Sequence, residues 1–416
     1  MSSALLSFGD ASALVAAHAA RVSPVAAERV ALTEANGRVL AQTLHADRDQ
    51  PPFSRSTRDG YACRAAEANA HQPLTLAGST RAGQSPSAPL PVGSVWEIMT
   101  GAPVPEGADA VAMLEHVEAG GGRVRLAPPR TIAAGENIVP RGAQARIGDQ
   151  LLGPGAAIGN AQIALAASCG YSSLEVFLKP RVAILNTGDE IVPVESEPGP
   201  AQIRNSNGPM LAALVRDAGG EPWVLPTAPD NTPALEAALR QAFEADLVLI
   251  SGGVSAGKFD LVEPVLAILG ARFHFIGVRI QPGKPLVFGE IPSTNLIRNE
   301  NGTKCFGLPG NPVSSAVTFL LFAAPVLRAL AGCTHRDPRF ALVRLAEDVK
   351  GKSGLTRFLP AYCNFAAPPG EFPTVRRVEW QGSGDLVAMA HSNCFLVLPE
   401  DAGRLHAGET VRILLA

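Results

Sequence analysis

Six cysteines in 416 residues, Cys63, Cys169, Cys305, Cys333, Cys363 and Cys394, never fall at C-x-x-C spacing, and the eight histidines form neither an H-E-x-x-H motif nor a His/Cys cluster. The sequence therefore offers no pattern for a structural zinc site, and a chain of this size needs no disulfides to fold. There is no Lys/Arg run. With a net charge of -3 and 22 aromatic residues, the chain lacks the field and the stacking surface that non-specific nucleic-acid or membrane-surface binding requires. No basic region followed by a long apolar stretch opens the chain, so no signal peptide and a cytoplasmic location are expected. The most apolar stretch, Ala316 to Leu327, carries Thr318 and Pro325 and ends at Arg328. It falls short of the ~20 apolar residues of a membrane span and reads as a buried helix.

Hydrophobic residues make up 46% of the chain and charged residues 18%, which excludes global disorder and fibrous classes. At ~150 residues per domain, the length points to about three cores. Glycine and proline supply 76 residues, enough for many turns and too few for low complexity. Asp10 to Ala20 reads as a capped opening helix. From residue 50 to about 144, short apolar runs are broken by turns without a 3.6 period, as in a small β-rich domain. Helical character returns at 146–170, with Ile158 to Ser168 a helix. From Pro180, apolar runs at Val182 to Leu185 and Leu247 to Ile250 alternate with helices at Pro209 to Ala218 and Thr232 to Phe243, the pattern of a parallel sheet covered on both faces. After Gly332 the chain returns to strands. The expected fold is multidomain α+β and α/β: an N-terminal mixed domain (1–48 with 146–179), an inserted β-rich domain (49–145), a central three-layer α/β domain (180–331) and a C-terminal β domain (332–416).

The most informative local feature is a buried strand running into Ser251-Gly252-Gly253-Val254-Ser255. Paired glycines permit positive φ and leave N–H groups free for an anion, although a plain strand-to-helix turn uses the same residues. Two more polar, glycine-bearing strand ends follow the same logic: Asn186-Thr187-Gly188-Asp189-Glu190 and Arg204-Asn205-Ser206-Asn207-Gly208. Asp189, Glu190, Asp230 and Asp260 sit in such loops, and acids beside a phosphate call for a screening cation such as Mg²⁺. Each acid alone reads as a solvated loop residue, and Asp230, before Asn231-Thr232, as a helix cap. Lys284, in the rigid turn Gln281 to Pro285, either stabilises an oxyanion or is an exposed loop lysine. Gly307 to Ser314 (GLPGNPVS) leads into the apolar helix, with Pro312 in its first turn and free N–H groups above it as a second anion seat.

Together, DGYA at 59–62, MTGAPVPEGADAV at 99–111, NTGDE at 186–190, SGGVS at 251–255, PGKP at 282–285 and GLPGNPVS at 307–314 resemble the molybdopterin molybdenumtransferase family, nearly end to end and in order. The resemblance implies an enzyme that takes adenylylated molybdopterin and molybdate, uses Mg²⁺, releases AMP and leaves molybdenum on the pterin dithiolate. It implies a homodimer with sites between subunits, and it makes the molybdopterin adenylyltransferase and recipient molybdoenzymes the candidate protein partners. By the same resemblance, Asp59, Thr100, Glu190, Asp230, Asp260 and Lys284 are the catalytic positions, with Glu190 and Asp260 on the metal. Substrate-binding positions are Thr187, Gly188, Asp189, Asn205, Ser206, Ser251, Gly252, Gly253, Val254, Ser255, Pro285, Pro309, Gly310, Asn311, Ser314, Arg357 and Ser392.

Four positions depart from the family pattern. Gln144 stands near a common acid, Gln281 where a lysine is frequent, Lys258 where an acid is frequent, and Arg58 where an apolar residue is frequent. Two other function classes compete with the enzyme: a non-catalytic pterin- or nucleotide-binding scaffold of the same fold, and a related pyridine-nucleotide amidohydrolase. Retention of Asp260, Lys284 and Arg357 speaks against the first, and the DGYA and MTGAPVP motifs against the second.

Overall fold

The computed structural model describes residues 5–253, 261–292, 302–368 and 370–416. Internal contacts divide the chain into two units: Met1–Ala41 with Pro154–Gly159 and Leu174–Ala416, and Gln42–Gly153 with Asn160–Ser173.

The centre of the first unit is a six-stranded sheet in the order Glu221–Val224, Arg181–Asn186, Leu247–Ser251, Thr303–Leu308, Val287–Ile291, Arg272–Ile276. The first four strands are parallel and the last two antiparallel. Alternate residues of one strand feed two different cores, the three-layer arrangement expected of continuous apolar runs. Val182 and Ile184 join Leu247, Leu249 and Phe306 against Leu211 and Val215 of the helix Asn207–Asp217. Ala183 and Leu185 join Val248 and Ile250 against Leu235 and Leu239 of the helix Thr232–Ala242.

The C-terminal strands Thr356–Asn364, Thr374–Arg377, Phe340–Leu345, Thr410–Leu415 and Cys394–Leu398 close into a barrel, because the first also pairs with the last. A short strand, Ile280–Gln281, leaves the α/β layer and adds to this barrel, setting Gln281 opposite Arg357. In the second unit a six-stranded sheet runs in the order Ala110–Met113, Gly60–Cys63, Ser94–Ile98, Leu74–Thr80, Arg123–Leu126, Val117–Gly120.

Two helices differ from the sequence reading. The opening helix spans Phe8–Ala19, and its cap is Ser7, whose hydroxyl oxygen accepts from the Asp10 N–H at 3.1 Å; Asp10 lies inside the first turn. The apolar helix runs from Pro312 to Leu330, 19 residues, which by length and composition alone would suffice to cross a membrane. Within the protein 89% of it is buried, so the core-helix reading holds although the length argument does not. The extra residues lie at the two ends, 312–315 and 328–330, and the wide turns at Phe319–Ala323 let the helix continue past Pro325, a residue with no N–H to donate.

Candidate functional site

A cavity of about 1140 Å³ opens at the carboxyl ends of the parallel strands, where open α/β sheets place their ligands. Its wall gathers most of the residues picked from the sequence: Thr187, Gly188, Glu190, Asn205, Ser206, Asp230, Ser251, Gly252, Gly253, Lys284, Pro285, Pro309, Gly310, Asn311 and Ser314. Val254, Ser255, Lys258 and Asp260 lie outside the described residues.

The glycine loop is built as its composition requires. Gly252 sits at φ +102° and Gly253 at φ +63°, and a Cβ on Gly252 would lie 2.7 Å from the Thr187 carbonyl oxygen. Its N–H groups are not all free, however. The Gly252 N–H donates to the Leu308 carbonyl at 3.2 Å, locking two adjacent strand ends together. The start of the apolar helix is similar: the Val313 N–H donates to the Ser383 carbonyl at 3.0 Å, so that donor holds a turn of the C-terminal domain. Both anion seats therefore have fewer open donors than the sequence suggested.

Asn207, part of the strand-end segment read from the sequence but absent from the binding positions, ties the two loops to each other. Its side-chain amide donates to Ser251 Oγ at 2.8 Å and to the Gly310 carbonyl at 2.6 Å. Among the described residues its own Oδ1 has no partner though buried, and the same holds for Thr187 Oγ1. Buried polar atoms left unpaired cost about 1–3 kcal/mol each, and at a cavity wall they mark where a ligand's hydrogen bonds belong. The motif RNSNG was the available signal, since it gathers two asparagines and a serine at one strand end. Asn205 accepts from the Gly208 N–H at 2.8 Å and donates to Asn186 Oδ1 at 3.2 Å. Trp380, Gly382, Ser383, Gly384 and Leu386 also line the cavity, and Asn311 donates to Ser383 Oγ at 2.8 Å. The spacing of these C-terminal residues carried no signal.

Glu190 and Asp230 bring two carboxylates to the wall. Asp230 does not cap the helix that follows: Asn231 does, accepting from the Ala234 N–H at 3.0 Å. The Asp230 N–H donates to Asp189 Oδ1, so Asp189 acts as a loop brace and does not line the cavity. Lys284 is exposed into the cavity and has no ion pair among the described residues. Gly283 before it sits at φ +110° with Thr318 packed where a Cβ would go, which fixes the turn that presents the lysine.

Arg357 and Ser392 do not line the cavity. Arg357 is next to it through its strand partner Gln281, which does. Arg357 Nε and Gln281 Oε1 are both buried without a partner among the described residues. Burial, then nearby Arg377, holds the Arg357 guanidinium below its ordinary value. The Ser392 hydroxyl is spent on the Met389 carbonyl at 2.7 Å.

In the second unit, Asp59 and Thr100 meet. Asp59 Oδ1 accepts from the Thr100 N–H at 2.6 Å and from its hydroxyl at 2.8 Å. These bonds, the backbone one first, hold the exposed Asp59 carboxyl below its ordinary value. Arg58 is exposed, and its N–H donates to Ser56 Oγ.

The fold and cavity define a multidomain protein whose α/β domain opens a ligand-sized cavity at its strand ends, and its relatives match along its length. Residues 6–170 match the MoeA N-terminal region (domain I and II), 183–329 the probable molybdopterin binding domain, and 343–416 the MoeA C-terminal region (domain IV). Molybdopterin molybdenumtransferase of Nostoc sp. is 34% identical over 93% of this chain and 88% of its own. That of Haemophilus influenzae is 34% identical over 94% of each. Among solved structures, the molybdopterin biosynthesis MoeA protein of Pyrococcus horikoshii superimposes with a TM-score of 0.80, at 29% identity, covering 99% of this chain and 100% of that one. The chain belongs to the molybdopterin molybdenumtransferase family.

Proposed function

We propose that this protein inserts molybdenum from molybdate into adenylylated molybdopterin, with release of AMP. One observation carries the reading: a single cavity gathers the glycine loop, two carboxylates and Lys284, which makes no ion pair among the described residues. Water adds across the pyrophosphate bond, giving AMP and the pterin monophosphate. The dithiol then replaces one oxo group of molybdate, which leaves as water with the two thiol protons. Neither the scaffold nor the amidohydrolase reading is favoured, because the curated transferases match over nearly the whole chain.

Thr187, Asn205, Ser206, Ser251, Gly252, Gly253 and Gly310 hold the pterin nucleotide, with Asn207 setting the distance between the two loops. Lys284 supplies point-charge stabilisation to the molybdate dianion, assisted by Arg357 beside Gln281. Glu190 suits a Mg²⁺ ion: it is a hard oxygen donor, and the absence of a Cβ on Gly188 leaves room for its carboxylate, which would lie 2.5 Å from such an atom. Glu190 and Asp260 would hold the ion, with Asp230 as a third acid. Bound there, Mg²⁺ would screen phosphate charge from these carboxylates and polarise the pyrophosphate. A cytoplasmic location and a homodimer belong to the same reading.

Incubation of purified protein with adenylylated molybdopterin, molybdate and Mg²⁺ should yield AMP and molybdenum-loaded pterin in step. AMP without molybdenum transfer would reject the assignment. For the dimer, the reading joins Asp59 and Thr100 of one subunit to the cavity of the other. Co-expressed, differentially tagged Asp59→Asn and Asp260→Asn chains should then recover activity in the mixed dimer, whereas Asp260→Asn with Lys284→Ala should not. An inactive, verified mixed dimer would assign Asp59 a structural turn role.

A further inference from the structure

At the antiparallel edge of the α/β sheet, on elements whose functional role is so far undefined, the fold brings together residues far apart in sequence. His18 comes from the opening helix, His274 from Arg272–Ile276, and Glu290 from Val287–Ile291. Their ligand-type atoms all lie within 4.8 Å of one another. His18 Nε2 is 4.0 Å and His274 Nε2 3.9 Å from Glu290 Oε2, and both imidazole nitrogens are buried without a hydrogen-bond partner among the described residues. Phe288 packs against both rings, at centroid distances of 5.0 and 4.6 Å. Two unpaired imidazole nitrogens converging on one carboxylate oxygen form a donor set without an acceptor in its middle. No local motif could reveal it, because 256 residues separate the two histidines.

We propose that His18, His274 and Glu290 form a binding site for a divalent transition metal of the zinc class, which pins the opening helix to the sheet edge. Two imidazoles and a carboxylate are a common three-ligand set for Zn²⁺, with water as the fourth ligand. The half-buried positions of His274 and Glu290 leave that water a path. Bonds of about 2.0–2.2 Å in a tetrahedral site bring neighbouring donors to roughly 3.3 Å. The two N···O separations must therefore close by about 0.6–0.7 Å, and the two imidazole nitrogens, within 4.8 Å of each other, must also approach, which takes ring rotations of His18 and His274 beside a rotation of Glu290. The two N···O distances are also too long for hydrogen bonds, so the histidines lose nothing they now hold when they turn to a metal. Lys304 is the opposing element: its ammonium lies 3.3 Å from the same Glu290 oxygen and competes with an incoming cation. Oxygen-preferring Mg²⁺ belongs to the carboxylates of the cavity and is a poor match for two imidazoles.

The test uses the full chain without a polyhistidine tag, stripped with chelator and kept in excess Mg²⁺. Titration with Zn²⁺ followed calorimetrically should give one equivalent, with a rise in the thermal midpoint. Co²⁺ should give the visible ligand-field spectrum of a four-coordinate N/O site. His274→Gln, at the sheet edge, should weaken binding at least tenfold and abolish the midpoint shift while circular dichroism shows an intact fold. Lys304→Met should tighten binding several-fold by removing the competing charge. Absence of stoichiometric binding to the wild-type chain, or an affinity unchanged in His274→Gln, would overturn the proposal. Neither result bears on molybdenum transfer, which is read separately through AMP and loaded pterin.

Discussion

The cavity of the α/β domain and the Asp59–Thr100 turn are both rich in polar groups, yet they treat them in opposite ways. Around the cavity, Thr187 Oγ1, Asn207 Oδ1, Gln281 Oε1 and Arg357 Nε are buried and have no hydrogen-bond partner among the described residues. In the turn, the Asp59 carboxylate is exposed and already holds two short hydrogen bonds. The first arrangement stores desolvation cost that a ligand can relieve on binding; the second has a charge fixed in direction before any ligand arrives. One region is built to bind and the other to present. Mutations should therefore act through stability and affinity in the first and through turnover and titration in the second.

The largest effect should come from Gly252→Ala. The new Cβ would sit 2.7 Å from the Thr187 carbonyl at a φ of +102°, so strain and overlap together should cost on the order of 3 kcal/mol and displace the loop. Chemical denaturation and AMP release should both register it; a variant of wild-type stability would show that the loop has room that the geometry denies. Next is Asn207→Ala, which strands Ser251 Oγ and the Gly310 carbonyl together. A loss of about 2 kcal/mol is expected, with weaker pterin-nucleotide binding. Unchanged nucleotide affinity would mean that the two loops keep their separation without the amide bridge.

Lys284→Ala should be gentler on the fold, because the side chain is exposed and makes no ion pair among the described residues. We expect a roughly tenfold rise in the molybdate concentration for half-maximal rate, about 1.4 kcal/mol, with nucleotide affinity and stability near wild type. Molybdate dependence that stays put would remove Lys284 from the anion pocket.

How far the sequence foretold these differences depended on range. The strand-end loops were legible because apolar runs stopping at Asn186 and Ser251 put polar residues at one sheet edge, and parallel topology did the rest. Asn207 was missed because its role is set by two partners 44 and 103 residues away, a relation that spacing within a motif cannot show. The free donors expected at Gly252 and Val313 were taken by carbonyls of Leu308 and Ser383, one on a neighbouring strand and one in another domain. Asp230 looked like a cap because acids often are, but Asn231 stood one residue closer to the helix. The His18, His274 and Glu290 cluster was illegible for the same reason in stronger form: three elements must pack before it exists.

The smallest expected effect tests the other side of the comparison. Asp59 owes its low pKa first to the Thr100 backbone N–H and then to the Thr100 hydroxyl. Thr100→Val removes only the hydroxyl and keeps the residue's shape, so the midpoint should rise part of the way towards the ordinary value without reaching it. The sign for stability follows from the direction of the shift. A carboxyl depressed in the folded state contributes stability that is present above its unfolded value of 3.8 and is lost as pH falls through the folded value. The variant should thus differ from wild type at neutral pH, where the full contribution of the hydroxyl bond counts, and the two should converge in acid below both midpoints. Because Asp59 is exposed, water can replace the lost bond and the stability difference should be small. Carboxyl-carbon NMR titration of Asp59 reads the midpoint directly, and chemical denaturation at neutral and acid pH reads the linkage. If the midpoint does not move, the hydroxyl plays no part in holding the charge. If turnover falls while the midpoint moves only slightly, Thr100 acts by aiming the Asp59 carboxylate, and the charge itself would have survived without it.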